Sequence, residues 1–174
     1  MACSRRSLLQ LSLGGALAAG PAQAMNFGST DWPQPGDRLV RANDPQSILR
    51  DTDIIAGAPP VLAFPLDTAT GKPRAALFSQ ILLLRLDTPD TTAILAYSAV
   101  CKHAGCIVSA WVADRRLLLC PCHGSEYDPA QAGAVVMGPA DAPLPTIPVA
   151  VHGGTLVIAG AFSSHPGGDT GRTD

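Results

Sequence analysis

Two short segments rich in cysteine and histidine constrain this chain more than any other feature. Residues 101–106 read C-K-H-A-G-C, and residues 120–128 read C-P-C-H-G-S-E-Y-D. Each segment can present one Cys and one His from the tip of a loop, so each loop can hold one side of a metal site. Thiolate sulfur and imidazole nitrogen suit iron, and the same donors also suit tetrahedral zinc. The pair of motifs therefore predicts a metal site shared by two loops.

The two motifs, C-x-H-x-G-C and C-x-C-H-G-S-x-Y-D, resemble those of the Rieske iron–sulfur proteins of the high-potential, respiratory-complex type. The resemblance extends from about residue 62 to residue 160. It implies one [2Fe-2S] cluster per chain, in which two imidazoles replace two thiolates on one iron and raise the reduction potential. The ligands that the resemblance assigns are Cys101, His103, Cys120 and His123.

The same resemblance gives roles to the remaining residues of the motifs. It implies a disulfide between Cys106 and Cys122 that joins the two loops. It also implies that Ser125 donates a hydrogen bond to a bridging sulfide and that Tyr127 donates one to the thiolate of Cys101. A zinc site gives no reason for the extra cysteine pair or for the two hydroxyls, so the sequence favours the cluster over zinc.

Composition limits the classes of protein that the chain can belong to. The 174 residues are 47% hydrophobic and 15% charged, which is ample for one packed domain plus a processed or flexible segment. The formal net charge is −2 and the chain has no basic run, so nucleic acid is not an expected partner.

The N-terminus has the features of an export signal over residues 1–24. A charged start with the pair Arg5 and Arg6 precedes a mildly apolar middle and an A-x-A ending at Ala24. The arginine pair predicts the Tat route and therefore a protein located in the periplasm. A disulfide would persist in that oxidising compartment. A Sec signal with a coincidental arginine pair is one alternative. The other is an uncleaved anchor in the inner membrane, although a bilayer span takes about 20 apolar residues.

The rest of the sequence predicts an all-β domain. Residues 25–57 are expected to form an extended lead-in, residues 58–162 the Rieske domain and residues 163–174 a disordered tail. The 16 Pro and 17 Gly and the lack of a helical period argue against long helices. Short apolar runs predict strands instead, at 60–64, 80–86, 93–98, 107–108, 111–112, 116–119, 147–151 and 155–158.

These runs favour antiparallel pairing, and the family resemblance implies a small antiparallel β-sandwich with a two-loop cluster-binding subdomain at one end. Gly153-Gly154 between two apolar runs predicts a hairpin turn. Residues 138–144 resemble the family's proline loop, with the two prolines spaced more widely than usual. His152 is expected to be a surface turn residue and His165 part of the flexible tail, and neither is expected to bind iron.

The resemblance implies a periplasmic one-electron carrier without substrate chemistry of its own beyond electron and coupled proton transfer. Its expected partners are redox proteins, either a cytochrome b or c or a molybdopterin subunit, and quinol is a further possibility. The favoured identity is a subunit or partner of a quinol–cytochrome c reductase, although Ala104 is smaller than the residue usual in that branch. The alternatives are the small subunit of an arsenite-oxidase-type molybdenum enzyme and, less favoured, a dioxygenase-type Rieske ferredoxin.

Overall fold

A computed structural model describes residues 32–88 and 93–168. Within those ranges the chain forms twelve β-strands and no α-helix, which confirms the all-β prediction. The strands are β1 (Arg38–Arg41), β2 (Asp44–Ile48), β3 (Val61–Asp67), β4 (Lys72–Pro73), β5 (Ile81–Arg85), β6 (Ile94–Ser98), β7 (Ala110–Val112), β8 (Leu117–Cys120), β9 (Ser125–Asp128), β10 (Ala134–Met137), β11 (Val149–His152) and β12 (Thr155–Ile158).

The strands form two antiparallel sheets. The larger has the order β11-β12-β1-β3-β5-β6, with β2 beside β1 and β4 beside β3, and the smaller has the order β10-β9-β8-β7. The larger sheet curls toward itself, because the segment that leads into β11 also pairs with β6. Ile147 N donates to Ala96 O at 3.0 Å and Ser98 N donates to Pro145 O at 2.8 Å. The expected antiparallel sandwich is confirmed.

Strand β5 is buried on both faces and separates two hydrophobic cores. Side chains alternate across a strand, so Ile81 and Leu83 enter one core while Leu82 and Leu84 enter the other. All four are at most 3% exposed, and burying each contributes about 1.5–3 kcal/mol. Burial on both faces explains why this strand is continuously apolar. The core that contains Leu82 and Leu84 also contains both cysteines expected to be ligands.

The expected lead-in differs from the structure over its described part. Strand β1 lies between β12 and β3, and its Leu39 and Val40 are fully buried. Asp37, at the start of the strand, is buried and held by Arg74 at 2.7 Å. The four-residue strand lies among polar and turn-forming residues and is too short to show a period, so the sequence pattern did not reveal it.

The expected disordered tail also differs from the structure over residues 163–168. Pro166 and Gly167 are buried, and the His165 ring lies 5.2 Å from that of Trp32 and 5.3 Å from that of Phe78 between centroids. Composition pointed to disorder because the segment is rich in Ser, Gly and Pro. Its ordering depends on aromatic side chains that are distant in the sequence. The expected signal and the last residues of the tail lie outside the described residues.

Other local predictions have mixed outcomes. Gly153 and Gly154 form the β11–β12 hairpin turn with positive φ angles of 58° and 80°, and His152 beside them is exposed as predicted. Strands β2, β4, β9 and β10 were also not predicted, and β9 was missed because residues 125–128 were interpreted only as part of the second motif. No helix in the described ranges is long and apolar enough to cross a membrane.

Candidate metal centre

The two motifs lie side by side at one end of the smaller sheet. The first loop, residues 101–106, follows β6, and the second loop, residues 120–124, joins β8 to β9. A bridge between Val100 and Ile107 closes the base of the first loop. The second loop is the tip of a hairpin whose last pair is Cys120 with Ser125. Both loops are therefore anchored in β-structure at their bases.

The two loops close with the same hydrogen bond. In the first, Gly105 N donates to Cys101 O at 3.1 Å, and in the second, Gly124 N donates to Cys120 O at 3.0 Å. Both glycines have φ of +74°, a conformation that residues with a Cβ adopt only with strain. Each turn thus keeps a buried cysteine at its start while its histidine lies near the tip.

The disulfide expected between the loops is confirmed. Cys106 and Cys122 are bonded, with their Cα atoms 6.5 Å apart. The Sγ atoms of Cys106, Cys120 and Cys122 lie within 4.8 Å of one another. This trio is not a ligand set, because two of its sulfurs are bonded to each other and carry no thiolate.

The structure pairs the other four motif side chains, thiol with thiol and imidazole with imidazole. Cys101 and Cys120 are free thiols, each 1% exposed, and they are close enough to share a hydrogen bond. The Nδ1 atoms of His103 and His123 face each other at 3.2 Å, and the two rings are nearly perpendicular. His123 is exposed and His103 is half-buried. The thiols therefore face the core and the imidazoles face the surface.

Tyr127 contacts the first loop at two points. Its hydroxyl lies 3.2 Å from Cys101 Sγ and accepts a hydrogen bond from Lys102 N at 3.1 Å, which leaves its proton for the sulfur. Burial by itself raises the pKa of Cys101, but the bonds from Tyr127 and the His103 backbone outweigh it, and the pKa is lowered. Burial, followed by the bond with Cys101, raises the pKa of Cys120. Of the two thiols, Cys101 is therefore the one that loses its proton more readily.

Ser125 connects the second loop to the segment that resembles the proline loop. Its Oγ accepts a hydrogen bond from Ala140 N at 3.1 Å, and its proton remains available as a donor. Gly138 lies against the same strand, since a Cβ built there would lie 2.4 Å from Ser125 Cα. The wider spacing of the two prolines leaves this contact intact, and Leu144 beyond them is buried in the core that holds the cysteines.

An ion pair that the sequence did not reveal supports strand β9. Glu126, between Ser125 and Tyr127, is 6% exposed and receives two hydrogen bonds of 2.6 Å from Arg115 in the β7–β8 turn. A buried carboxylate needs such a partner. The sequence signal for this ion pair is an acidic residue within a strand of otherwise buried side chains. It can be read only after β9 has been recognised as a strand.

Two cysteines and two histidines at the end of a β-domain define a protein that carries a metal centre on paired loops. The Rieske [2Fe-2S] domain family matches residues 63–148 of this chain. The cytochrome bc1 complex Rieske iron–sulfur subunit of Corynebacterium glutamicum is 36% identical over 97 residues, which are 47% of this chain and 24% of that protein.

Two further proteins are similar to parts of this chain. The cytochrome b6-f complex iron–sulfur subunit of Synechococcus is 38% identical over 76 residues, covering 44% of this chain and 41% of that protein. The chain therefore spans less than half the length of these curated relatives. The plasma membrane Rieske protein PetC3 of Synechocystis aligns with a TM-score of 0.39 and 30% identity, over 47% of this chain and 77% of that structure.

The chain belongs to the Rieske iron–sulfur proteins, and its Rieske domain binds a [2Fe-2S] cluster. The site fits that group by its donor chemistry. It offers two unbonded, buried thiols and, on the same two loops, two imidazoles whose nitrogens converge, and the remaining two cysteines are bonded in a disulfide.

We predict that Gly138→Ala disturbs the contact between the second loop and the segment carrying Ala140. The new methyl group overlaps Ser125 Cα, and such overpacking costs about 1–3 kcal/mol. Gly36→Ala is the matched control, because Gly36 has the same φ of +92° but no atom within 4 Å of its Cβ position. Both variants carry the backbone strain, so thermal unfolding should show the larger loss for Gly138→Ala. Equal losses would show that the close packing contributes nothing.

Proposed function

We propose that this chain is a one-electron carrier whose [2Fe-2S] cluster is held by the two motif loops. The ligands in this proposal are Cys101, His103, Cys120 and His123. The observation that carries it is the convergence of the two imidazole Nδ1 atoms, 3.2 Å apart, on the same two loops that carry two free and buried thiols. No zinc site requires the disulfide and the tyrosine hydroxyl that flank this arrangement.

When bound, a Rieske cluster accepts and releases one electron at a potential between roughly −150 and +300 mV. The chain's own residues hold it and set its environment. Cys101 and Cys120 keep the thiolate side away from water, while His103 and His123 face the surface where a partner can approach. Tyr127 donates its proton toward Cys101, which favours the more negative, reduced state. Electrons therefore enter and leave through the imidazole edge.

A subunit of a cytochrome bc1/b6-f-type complex is the identity that we favour. The curated relatives named above are subunits of such complexes, and the partners would then be a cytochrome b or c, with quinol as donor. The disulfide between the loops argues against a dioxygenase-type ferredoxin, whose loops lack those cysteines. The small subunit of an arsenite-oxidase-type enzyme stays as the alternative, with a molybdopterin subunit as its partner.

The ligand assignment predicts the metal content of the purified protein and of its variants. Wild-type protein should contain two irons and two acid-labile sulfides per chain, and reduction should produce a rhombic paramagnetic signal. Replacing any one of the four proposed ligands, for example His123→Ala, should abolish that signal. His152→Ala is the control, because this exposed hairpin histidine lies outside the loops. Zinc without labile sulfide in the wild type would overturn the proposal.

The hydroxyl groups near the thiols should raise the reduction potential. A hydrogen bond contributes about 0.5–1.5 kcal/mol net, so Tyr127→Phe and Ser125→Ala should each lower the one-electron potential by roughly 20–65 mV. Protein-film voltammetry gives this value directly. Thr155→Val provides a hydroxyl deletion in the distant β12 hairpin and should leave the potential unchanged. Potentials that stay level or rise in both site variants would show that the hydroxyls do not act on the cluster.

We also propose that the protein is exported by the Tat route to the periplasm, on the basis of Arg5, Arg6 and the ending at Ala24. Changing both arginines to lysine should stop export, as expected for a route that reads the arginine pair. The protein released by osmotic shock should begin at Met25 when its N-terminus is sequenced. Protein that remains in the membrane fraction with residues 8–19 intact would show that the segment is an anchor.

A further inference from the structure

We propose that residues 163–168, here called the C-terminal strap, position the first loop and with it the imidazole of His103. The strap crosses from the larger sheet to the backbone of that loop. This inference rests on the proposed role of His103 as a cluster ligand. It assigns a positioning role to a segment outside residues 63–148, the part of the chain that the Rieske domain family matches.

The strap is fixed to the larger sheet at its start. Ser163 N donates to Thr146 O at 2.8 Å, and Thr146 N donates to Ser163 Oγ at 3.0 Å. The next anchor is aromatic, because the His165 ring meets both the Trp32 and Phe78 rings edge-on, at an interplanar angle of 66° in each case. Trp32 and Phe78 also stack on each other at 6.1 Å. The first half of the strap is therefore held by two independent kinds of contact.

The second half of the strap lies against the first loop without room for a side chain. A Cβ built on Gly168 would lie 2.4 Å from His103 O and 2.7 Å from Lys102 O. One Cβ on Gly167 would lie 3.2 Å from the Phe78 ring and 3.5 Å from Val100. Lys102 Nζ donates to His165 O at 3.2 Å and joins the two segments a second time.

The strap makes a close glycine contact with the first loop, just as the segment with Gly138 does with the second loop. Gly138 packs on the backbone at Ser125, where the second loop ends, and Gly168 packs on the backbone of His103 itself. Each loop thus has one glycine pressed against it from outside its hairpin. A shift of the strap would move the His103 carbonyl, and the imidazole on the same residue would move with it.

The test uses the full-length, cluster-loaded protein and two crowded glycines. Gly168→Ala places a methyl group on the first loop, while Gly160→Ala places one 2.7 Å from Pro148 Cγ, outside both loops, and is the matched control. Neither position has a positive φ, so both variants act through space alone. Hydrogen exchange at the Cys101 and Gly105 amides should accelerate roughly 5- to 150-fold in Gly168→Ala.

The Gly124 amide of the second loop is the internal control and should exchange at the wild-type rate in both variants. The rhombic paramagnetic signal should change shape in Gly168→Ala and stay unchanged in Gly160→Ala. His165→Ala removes the aromatic anchor without adding bulk. It should also accelerate exchange in the first loop, change the shape of the paramagnetic signal and shift the tryptophan emission, to which Trp32 contributes, to the red. His152→Ala is its control.

The outcomes separate this inference from the proposed function. A wild-type protein without labile sulfide would refute the cluster assignment, whatever the strap does. Suppose that the wild type carries the cluster and that Gly168→Ala gives the same amide exchange rates and the same paramagnetic signal as Gly160→Ala. The strap then does not position the loop. Uniformly faster exchange over both loops in Gly168→Ala would likewise overturn it, since that result describes a general loss of stability.

Discussion

The geometry of this site depends on the covalent link between its two loops. The loops come from different strand pairs, and the ligand candidates on them meet only if the loops keep a fixed separation. The Cys106–Cys122 disulfide provides that constraint beside the side chains concerned. A native disulfide in a small domain typically contributes about 2–5 kcal/mol. Here its local effect matters more, because both loop tips are otherwise surface turns.

Polar contacts then orient the side chains of the two loops that the disulfide joins. The hydroxyl of Tyr127 accepts from the Lys102 amide and lies beside Cys101, so one fully buried side chain orients both a thiol and the backbone next to it. The neighbouring carboxylate of Glu126 is held by Arg115 and keeps the same strand in register. Burial lowers the local dielectric constant and strengthens these contacts. The thiol side of the site is therefore rigid and dry, whereas the imidazole side is open.

The sequence predicted the motif residues and most strands of the domain, because both are encoded locally. The spacing within residues 101–106 and 120–128 identified the family, and the apolar runs located β3, β5, β6 and the final hairpin. The parts that escaped prediction depend on distant contacts. Strand β1 is recognisable only through its neighbours β3 and β12, and the strap through Trp32 and Phe78. Glu126 required its partner in another turn.

Strand β5 has a further consequence for how far the domain can be divided. Its alternate side chains belong to two different cores, one of which contains Cys101 and Cys120 while the other does not. The two halves of the molecule are therefore joined by a strand that both cores need, and not merely by a linker. Excising the metal-binding end as an autonomous module, or grafting it onto another scaffold, would expose one apolar face of β5 to water. The smallest transferable unit that keeps this metal-binding end intact is accordingly the whole sandwich.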